Sequence, residues 1–225
     1  MNQHLTLRHA AMADLPALTA VEAACFPPAE AATGEDFARR LAVYPDHFWL
    51  LWEGNRLVSF VNGMTTDEQD LRDEMYQNAA LHQPDGAWQM IFGVNTLPDC
   101  RRRGYAARAL QAAIDDARAA GRKGLVLTCK DHMVHYYAKF GFVEEGMSGS
   151  THGGVAWHQM RLTFYGNTAQ FTAAALTLRS VERADPTPRV WRPLCVFGTM
   201  KAERRNLWIR SESANLLPKH ERKTT

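Results

Sequence analysis

Residues 87–130, "AWQMIFGVNTLPDCRRRGYAARALQAAIDDARAAGRKGLVLTCK", constrain the fold more than any other stretch of the chain. "AWQMIFGVNTL" is apolar enough for a strand buried in a sheet. Three arginines follow, and Gly104 then opens a long helix. The predicted apolar stripe of that helix is Ala106, Leu110, Ala113, Ile114 and Ala117, and Gly121 ends it. "GLVLTCK" is a second short buried strand, which completes a strand–helix–strand unit. The first N–H groups of a helix lack internal partners, and the macrodipole adds partial positive charge there. Stacking Arg101, Arg102 and Arg103 at that end makes sense when an anion sits on it. Gly104 and the small Ala106 let the backbone approach a phosphate closely.

The flanking sequence supplies the rest of one domain. "HLTLRHA" alternates as a first or edge strand, and Leu15, Leu18, Val21 and Cys25 recur at helical spacing. Thr33 with Asp36 three residues on resembles a capping box, and that helix stops before Pro45. "HFWLLWEGNRLVSFVNGMTT" predicts a hairpin turning at Glu53-Gly54-Asn55. The polar segment after it is a connection with room for a short helix around Leu71–Tyr76. "HMVHYYAKFG" is a short helix closed by Gly141, and "FVEEG" and "VAWHQMRLTF" are the last strands. The predicted order is β-α-α-β-β-β-α-β-α-β-β.

Hydrophobic residues at 46% and charged residues at 22% indicate a globular protein. No apolar run approaches the ~18 residues of a membrane span. The first ten residues lack a signal-peptide layout, so a cytoplasmic location is expected. Cys25, Cys100, Cys129 and Cys195 are scattered without CxxC spacing, so neither a metal site nor a disulfide framework is expected. His132 and His135 have no acidic or cysteine set to complete a metal site, and Cys129 is read as a packing residue. Residues 1–164 hold 15 Lys+Arg against 19 Asp+Glu, whereas 165–225 hold 11 against 5. The change of character places a domain boundary at Phe164. The basic extension 165–225 is expected to be disordered or non-native (a small second domain is the alternative) and to contribute nothing to catalysis.

The strand, the Arg101–Ala106 loop, the helix, the next strand and then "HYYAKFGF" together resemble the GNAT superfamily of acetyltransferases over residues 5–164. "HQPDGAWQMIFGVNTLPDCRRRG", "VLTCKDHMVHYYAKFGF" and "DHFWLLWEGNRLVSFVNG" are similar to its arylalkylamine (serotonin-type) N-acetyltransferase branch. The resemblance implies an α/β (α+β) fold: a mixed, largely antiparallel sheet with helices on both faces and a central β-α-β acetyl-CoA-binding unit. It also implies acetyl-CoA as co-substrate and a small primary amine, arylalkylamine or polyamine-like, as acceptor. Neither nucleic acid nor membrane is an expected partner, and the chain is expected to be a monomer or homodimer.

Residue roles follow from the same resemblance. Backbone groups of Val94, Asn95 and Thr96 match the strand that pairs with the pantetheine arm and presents an N–H to the thioester oxygen. Arg102, Arg103, Gly104, Tyr105, Ala106 and Ala107 match the pyrophosphate loop, and Thr128 matches a further cofactor contact. Tyr137 matches the general acid that protonates the departing thiolate. Met90 and Phe92 stand where vertebrate relatives carry two histidines, so the base must come from elsewhere. Glu30 in "FPPAEAAT" is the candidate, with Glu22 as the alternative and a water chain to His152 or His158 as a further route. Phe26, Pro27 and Pro28 are placed to wall the amine pocket. The rival readings are a protein or peptide N-acetyltransferase and an acyl-CoA-binding module without turnover.

Overall fold

A computed structural model describes residues 4–164; the expected extension over 165–225 lies outside the described residues. The strands are β1 (Leu5–His9), β2 (Phe48–Glu53), β3 (Arg56–Thr66), β4 (Trp88–Thr96), β5 (Gly124–Cys129), β6 (Val143–Met147) and β7 (His158–Thr163). The helices are α1 (Leu15–Cys25), α2 (Gly34–Val43), α3 (Glu74–Gln77), α4 (Tyr105–Ala119) and α5 (Val134–Ala138). The strands form one sheet in the order β1-β2-β3-β4-β5-β7-β6. Every neighbouring pair is antiparallel except β4 and β5, the pair joined through α4.

Alternation along the strands splits the core in two. Met90 packs with Leu18, Phe37, Phe48 and Phe60 under α1 and α2. Its neighbour Ile91 packs with Leu110, Ile114, Leu125 and Tyr137 under α4 and α5. The capping box of α2 is present: Thr33 Oγ1 accepts from the Asp36 N–H at 3.1 Å, and the Asp36 carboxylate accepts from the Thr33 N–H at 2.8 Å. The end of α4 is a Schellman turn, with Gly121 at φ 69 and the Arg122 N–H donating to the Ala117 carbonyl at 3.0 Å. The short helix in the polar segment begins at Glu74, and Leu71 before it is buried in the core. Ala106 departs from the expected stripe. Tyr105 and Ala109 are buried instead, because the first turn of α4 overhangs an opening in the sheet.

That opening has a local cause. Gly93 pairs with Asn62 and Ile91 with Gly63, which leaves Phe92 as an extra residue in β4. Such a bulge bends its strand. β4 and β5 pair only over Trp88–Ile91 and Gly124–Leu127, and beyond that point they splay. Gly63 makes the bulge possible, since a Cβ there would lie 1.8 Å from the Met90 carbonyl oxygen.

Candidate active site

A cavity of about 690 Å³ fills the splay between β4 and β5 and continues beneath the α1–α2 loop. One end is the start of α4. Among the described residues, none of the N–H groups of Arg102 to Ala107 finds an acceptor, and Arg108 is the first to bond, to the Gly104 carbonyl at 3.1 Å. Gly104 takes φ 79, and nothing lies within 4 Å of where its Cβ would be. Glycine is therefore needed for the turn itself, and the space beside it is open to a ligand. Arg102 holds φ 62, a conformation a long side chain rarely adopts and one that stores strain beside a functional loop.

The middle of the cavity is the freed edge of β4. Val94 and Thr96 line it, while their opposite edge is held by Val61 and Ser59 of β3. Tyr137 enters from α5, 7% exposed, and burial, with smaller contributions from Cys129 and Tyr136, pushes its pKa up. The phenol keeps its proton at neutral pH. Cys129 also lines the cavity, and burial with Glu144 and Asp131 nearby pushes its thiol up to about 11. That suits a packed thiol rather than a nucleophile.

The far end holds two buried carboxylates. Glu22 is 5% exposed; its Oε1 accepts from the Ala32 N–H at 3.0 Å, and its Oε2 has no partner. Desolvation raises its pKa, more than the Ala32 N–H and the Arg40 charge lower it. The Asn95 amide lies beside it, fully buried, with Nδ2 and Oδ1 outside hydrogen-bonding geometry. Glu30 Oε1 accepts from Lys130 Nζ at 2.8 Å, and Glu30 Oε2 is unpartnered. Phe26, Tyr76, Phe92 and Trp157 supply aromatic walls.

Two loops meet over this end. His152 Nε2 lies 3.1 Å from the Glu30 carbonyl oxygen, which fixes the proton on Nε2. The His152 ring stacks on Tyr76 at 4.9 Å, and its carbonyl accepts from Trp157 Nε1 at 2.8 Å. Asp73 accepts from the Thr151 N–H at 3.0 Å and from Ser150 Oγ at 2.5 Å. These ties join the α1–α2 loop, the segment before α3 and the β6–β7 loop into a roof.

Of the residues expected from sequence, Glu30, Val94, Thr96, Arg102, Gly104, Tyr105, Ala106, Ala107, Thr128 and Tyr137 line the cavity, as do Phe26 and Pro27. Arg103 points elsewhere, exposed and beside the Tyr105 side chain, and Asn95 is covered beneath Glu22. Met90 is fully buried under α1 and α2, whereas Phe92 reaches the cavity at the bulge. His158 pairs with Glu144 at 2.6 Å and does not line the cavity. The sequence reading missed Arg40, Asn62, Tyr76, Lys130 and Trp157, all of which line it. No cluster of three or more metal-ligating side chains occurs among the described residues, and no helix among them is long and apolar enough to cross a membrane.

Comparison with known proteins gives a consistent picture. The model of the acetyltransferase (GNAT) family matches residues 15–142. Among solved structures, the loading GNATL domain of CurA from Lyngbya majuscula aligns at TM-score 0.61 and 18% identity, covering 71% of this chain and 98% of that one. A GNAT-like decarboxylase, GphF, in complex with isobutyryl-CoA also aligns at 0.61, with 22% identity over 70% and 98% of the two chains. The ribosomal-protein-S18-alanine N-acetyltransferase from Escherichia coli aligns at 0.55 and 18%, over 74% and 99%. At these identities the solved structures share the fold alone.

Proposed function

The chain belongs to the acetyltransferase (GNAT) family, and we propose that it transfers the acetyl group of acetyl-CoA to the nitrogen of a small primary amine within a ternary complex. The observation that carries this reading is the single cavity joining the unpaired N–H groups at the start of α4 to two buried carboxylates under a closed roof. The Arg102–Ala107 backbone receives the pyrophosphate, with the arginine side chains adding charge around it. The free edge of β4 at Val94–Thr96 pairs with the pantetheine arm. It offers a backbone N–H where the carbonyl oxygen gains negative charge during attack, and Thr128 on β5 flanks the same channel.

The acceptor arrives protonated and must lose a proton before it can attack. We place that step on Glu22 rather than Glu30. Among the described residues Glu22 has a raised pKa, an unpartnered oxygen and no cation within 4.0 Å, whereas Glu30 is tied to Lys130 and the roof. Tyr137 donates to the sulfur as the C–S bond breaks. A phenol is a weaker acid than a thiol, so the tyrosine is refilled by the proton that the new ammonium centre sheds. The aromatic walls support an arylalkylamine among small amines. The roof formed by His152, Glu30, Asp73 and Thr151 favours a small acceptor over a peptide laid through an open groove.

The test is release of the CoA thiol from acetyl-CoA with a panel of arylalkylamines and polyamines. Acetyl-CoA binding without thiol release on any amine would make the chain a binding module and defeat the reading.

A further inference from the structure

Arg40 is a buried charge in the cavity that acetyl transfer to a plain amine leaves unused. It lies on α2, 4% exposed, and lines the acceptor end. Its Nη2 donates to the Tyr76 carbonyl at 2.6 Å and its Nη1 to Asn62 Oδ1 at 3.3 Å, while its Nε has no partner. The guanidinium sits over the Phe92 and Phe37 rings at 5.0 and 5.6 Å. Among the described residues no carboxylate lies within 4.0 Å of it.

The contrast with other covered cations is sharp. Arg161, with a side chain 13% exposed, holds Asp70 at 2.8 Å and Glu145 at 2.7 Å, and even the more exposed Lys130 holds Glu30. A buried charge without a counter-ion is costly, and ring faces offset only part of the cost. Glu22 has the mirror problem: among the described residues it too is buried without an ion pair and keeps an unpartnered oxygen. Glu22 and Arg40 line the same cavity and feel each other's field, yet they do not bridge. Asp36, also in the lining, adds only its field to Arg40, so neither Arg40 nor Glu22 has an ion-pair partner among the described residues.

Resting on the acetyl-transfer reading, we infer that the acceptor is a zwitterion, an α-amino acid whose ammonium goes to Glu22 and whose carboxylate goes to Arg40. Its side chain then meets Tyr76, Phe92 and Trp157. In the reaction the α-ammonium gives one proton to Glu22 and its nitrogen forms the C–N bond to the acetyl carbonyl. The C–S bond breaks, and the sulfur leaves as the CoA thiol with the proton supplied through Tyr137. The products are an N-acetylamino acid, CoA and one proton, so no further reactant is needed.

Matched acceptors on the full 225-residue chain test this: L-phenylalanine, L-phenylalaninamide and 2-phenylethylamine, and the leucine, leucinamide and isoamylamine set, each with saturating acetyl-CoA. In at least one set kcat/KM for the acid is expected to exceed that of the amide and the amine about 10-fold or more. Arg40→Gln is expected to lower kcat/KM for the acid about 10- to 100-fold, mainly through KM, and to bring the acid-to-amide ratio towards one. An amide or amine that serves as well as its acid overturns the inference. So does an Arg40→Gln variant that slows all three equally, which would make Arg40 a support for Tyr76. If Arg40→Gln does not fold, the wild-type acid-to-amide ratio decides alone. Turnover of tryptamine or spermidine with none of the acids would leave the small-amine reading standing and defeat this one. No turnover with any amine would defeat both.

Discussion

Glu22→Gln links the proposed chemistry to a stability measurement. Glutamine preserves the size of the side chain and the acceptor for the Ala32 N–H, and it replaces the unpartnered Oε2 with a neutral amide. Loss of a positioned base is expected to lower kcat/KM about 10²- to 10⁴-fold at neutral pH. Stability should move the other way. The folded-state pKa of Glu22 is raised above its ordinary carboxylate value by desolvation, which outweighs the field of Arg40. Between the unfolded and folded pKa values the folded chain therefore holds more protons than the unfolded one. Stability from this group is fully present below the unfolded pKa and is lost as pH rises through the folded pKa. Wherever Glu22 is ionised, its burial subtracts from stability. Glu22→Gln removes the buried charge and is therefore expected to be more stable than wild type at pH 7. The gain should vanish near pH 4. Urea unfolding from pH 4 to 8 measures the gain, and the acid limb of kcat/KM for wild type measures the same shift independently. The two must agree, a tenfold displacement of the acid limb corresponding to about 1.4 kcal/mol of stability. A variant no more stable than wild type across this range, or one that keeps the wild-type acid limb, would refute the assignment.

Tyr137→Phe is expected to lower kcat at least 10²-fold while leaving acetyl-CoA affinity within a factor of about three, as stopped turnover and calorimetric binding would show. Because burial raises the Tyr137 pKa, its contribution to stability holds below about pH 10 and falls as pH climbs above that value, and the phenylalanine variant should lose this alkaline dependence. Gly104→Ala meets no atom within 4 Å but must hold φ 79, so about 1–2 kcal/mol of strain should weaken acetyl-CoA binding roughly 5- to 30-fold with the fold intact by circular dichroism. His47 donates from Nδ1 to Gln89 Oε1 at 2.8 Å, and burial pulls its pKa down to about 4. Its share of stability is present above its unfolded value of about 6.5 and is lost as pH falls towards 4, an acid-side loss of up to about 3 kcal/mol that His47→Gln should reduce in urea titrations.

The framework of the fold is legible in the sequence because it rests on local signals. Thr33 and Asp36 satisfy each other across a helix start, Gly121 supplies the left-handed residue that ends α4, and the Glu53–Asn55 turn joins two apolar runs. The loop at Arg102–Ala107 is legible for the same reason, since free N–H groups at a helix start need only a strand before and a helix after. The acceptor end is built otherwise. Tyr76, Trp157 and His152 come from segments with no periodicity, and what fixes them is long-range bonding: Asp73 to Thr151, His152 to Glu30, Arg40 to Tyr76. Nothing within a dozen residues of Asp73 encodes a partner 78 positions away.

One local signal did point to the acceptor end. In α1 the apolar stripe Leu18, Val21 and Cys25 contains Glu22, four residues after Leu18 and three before Cys25. In α2 the stripe Phe37 and Leu41 contains Arg40, three residues after Phe37. Helical spacing turns both charges inward, onto a face that otherwise buries leucine and phenylalanine. A surface charge would sit on the opposite face at no cost, whereas an inward charge persists only where something compensates it. Two such inward charges of opposite sign, on helices that pack against each other, imply a shared polar space before any loop is placed. The bulge at Phe92 opens that space towards the splay between β4 and β5. In the proposed reaction the same two residues carry the proton step and the acceptor's charge pattern, and Phe92, raised by the bulge, walls the cavity between them and the splay of β4 and β5.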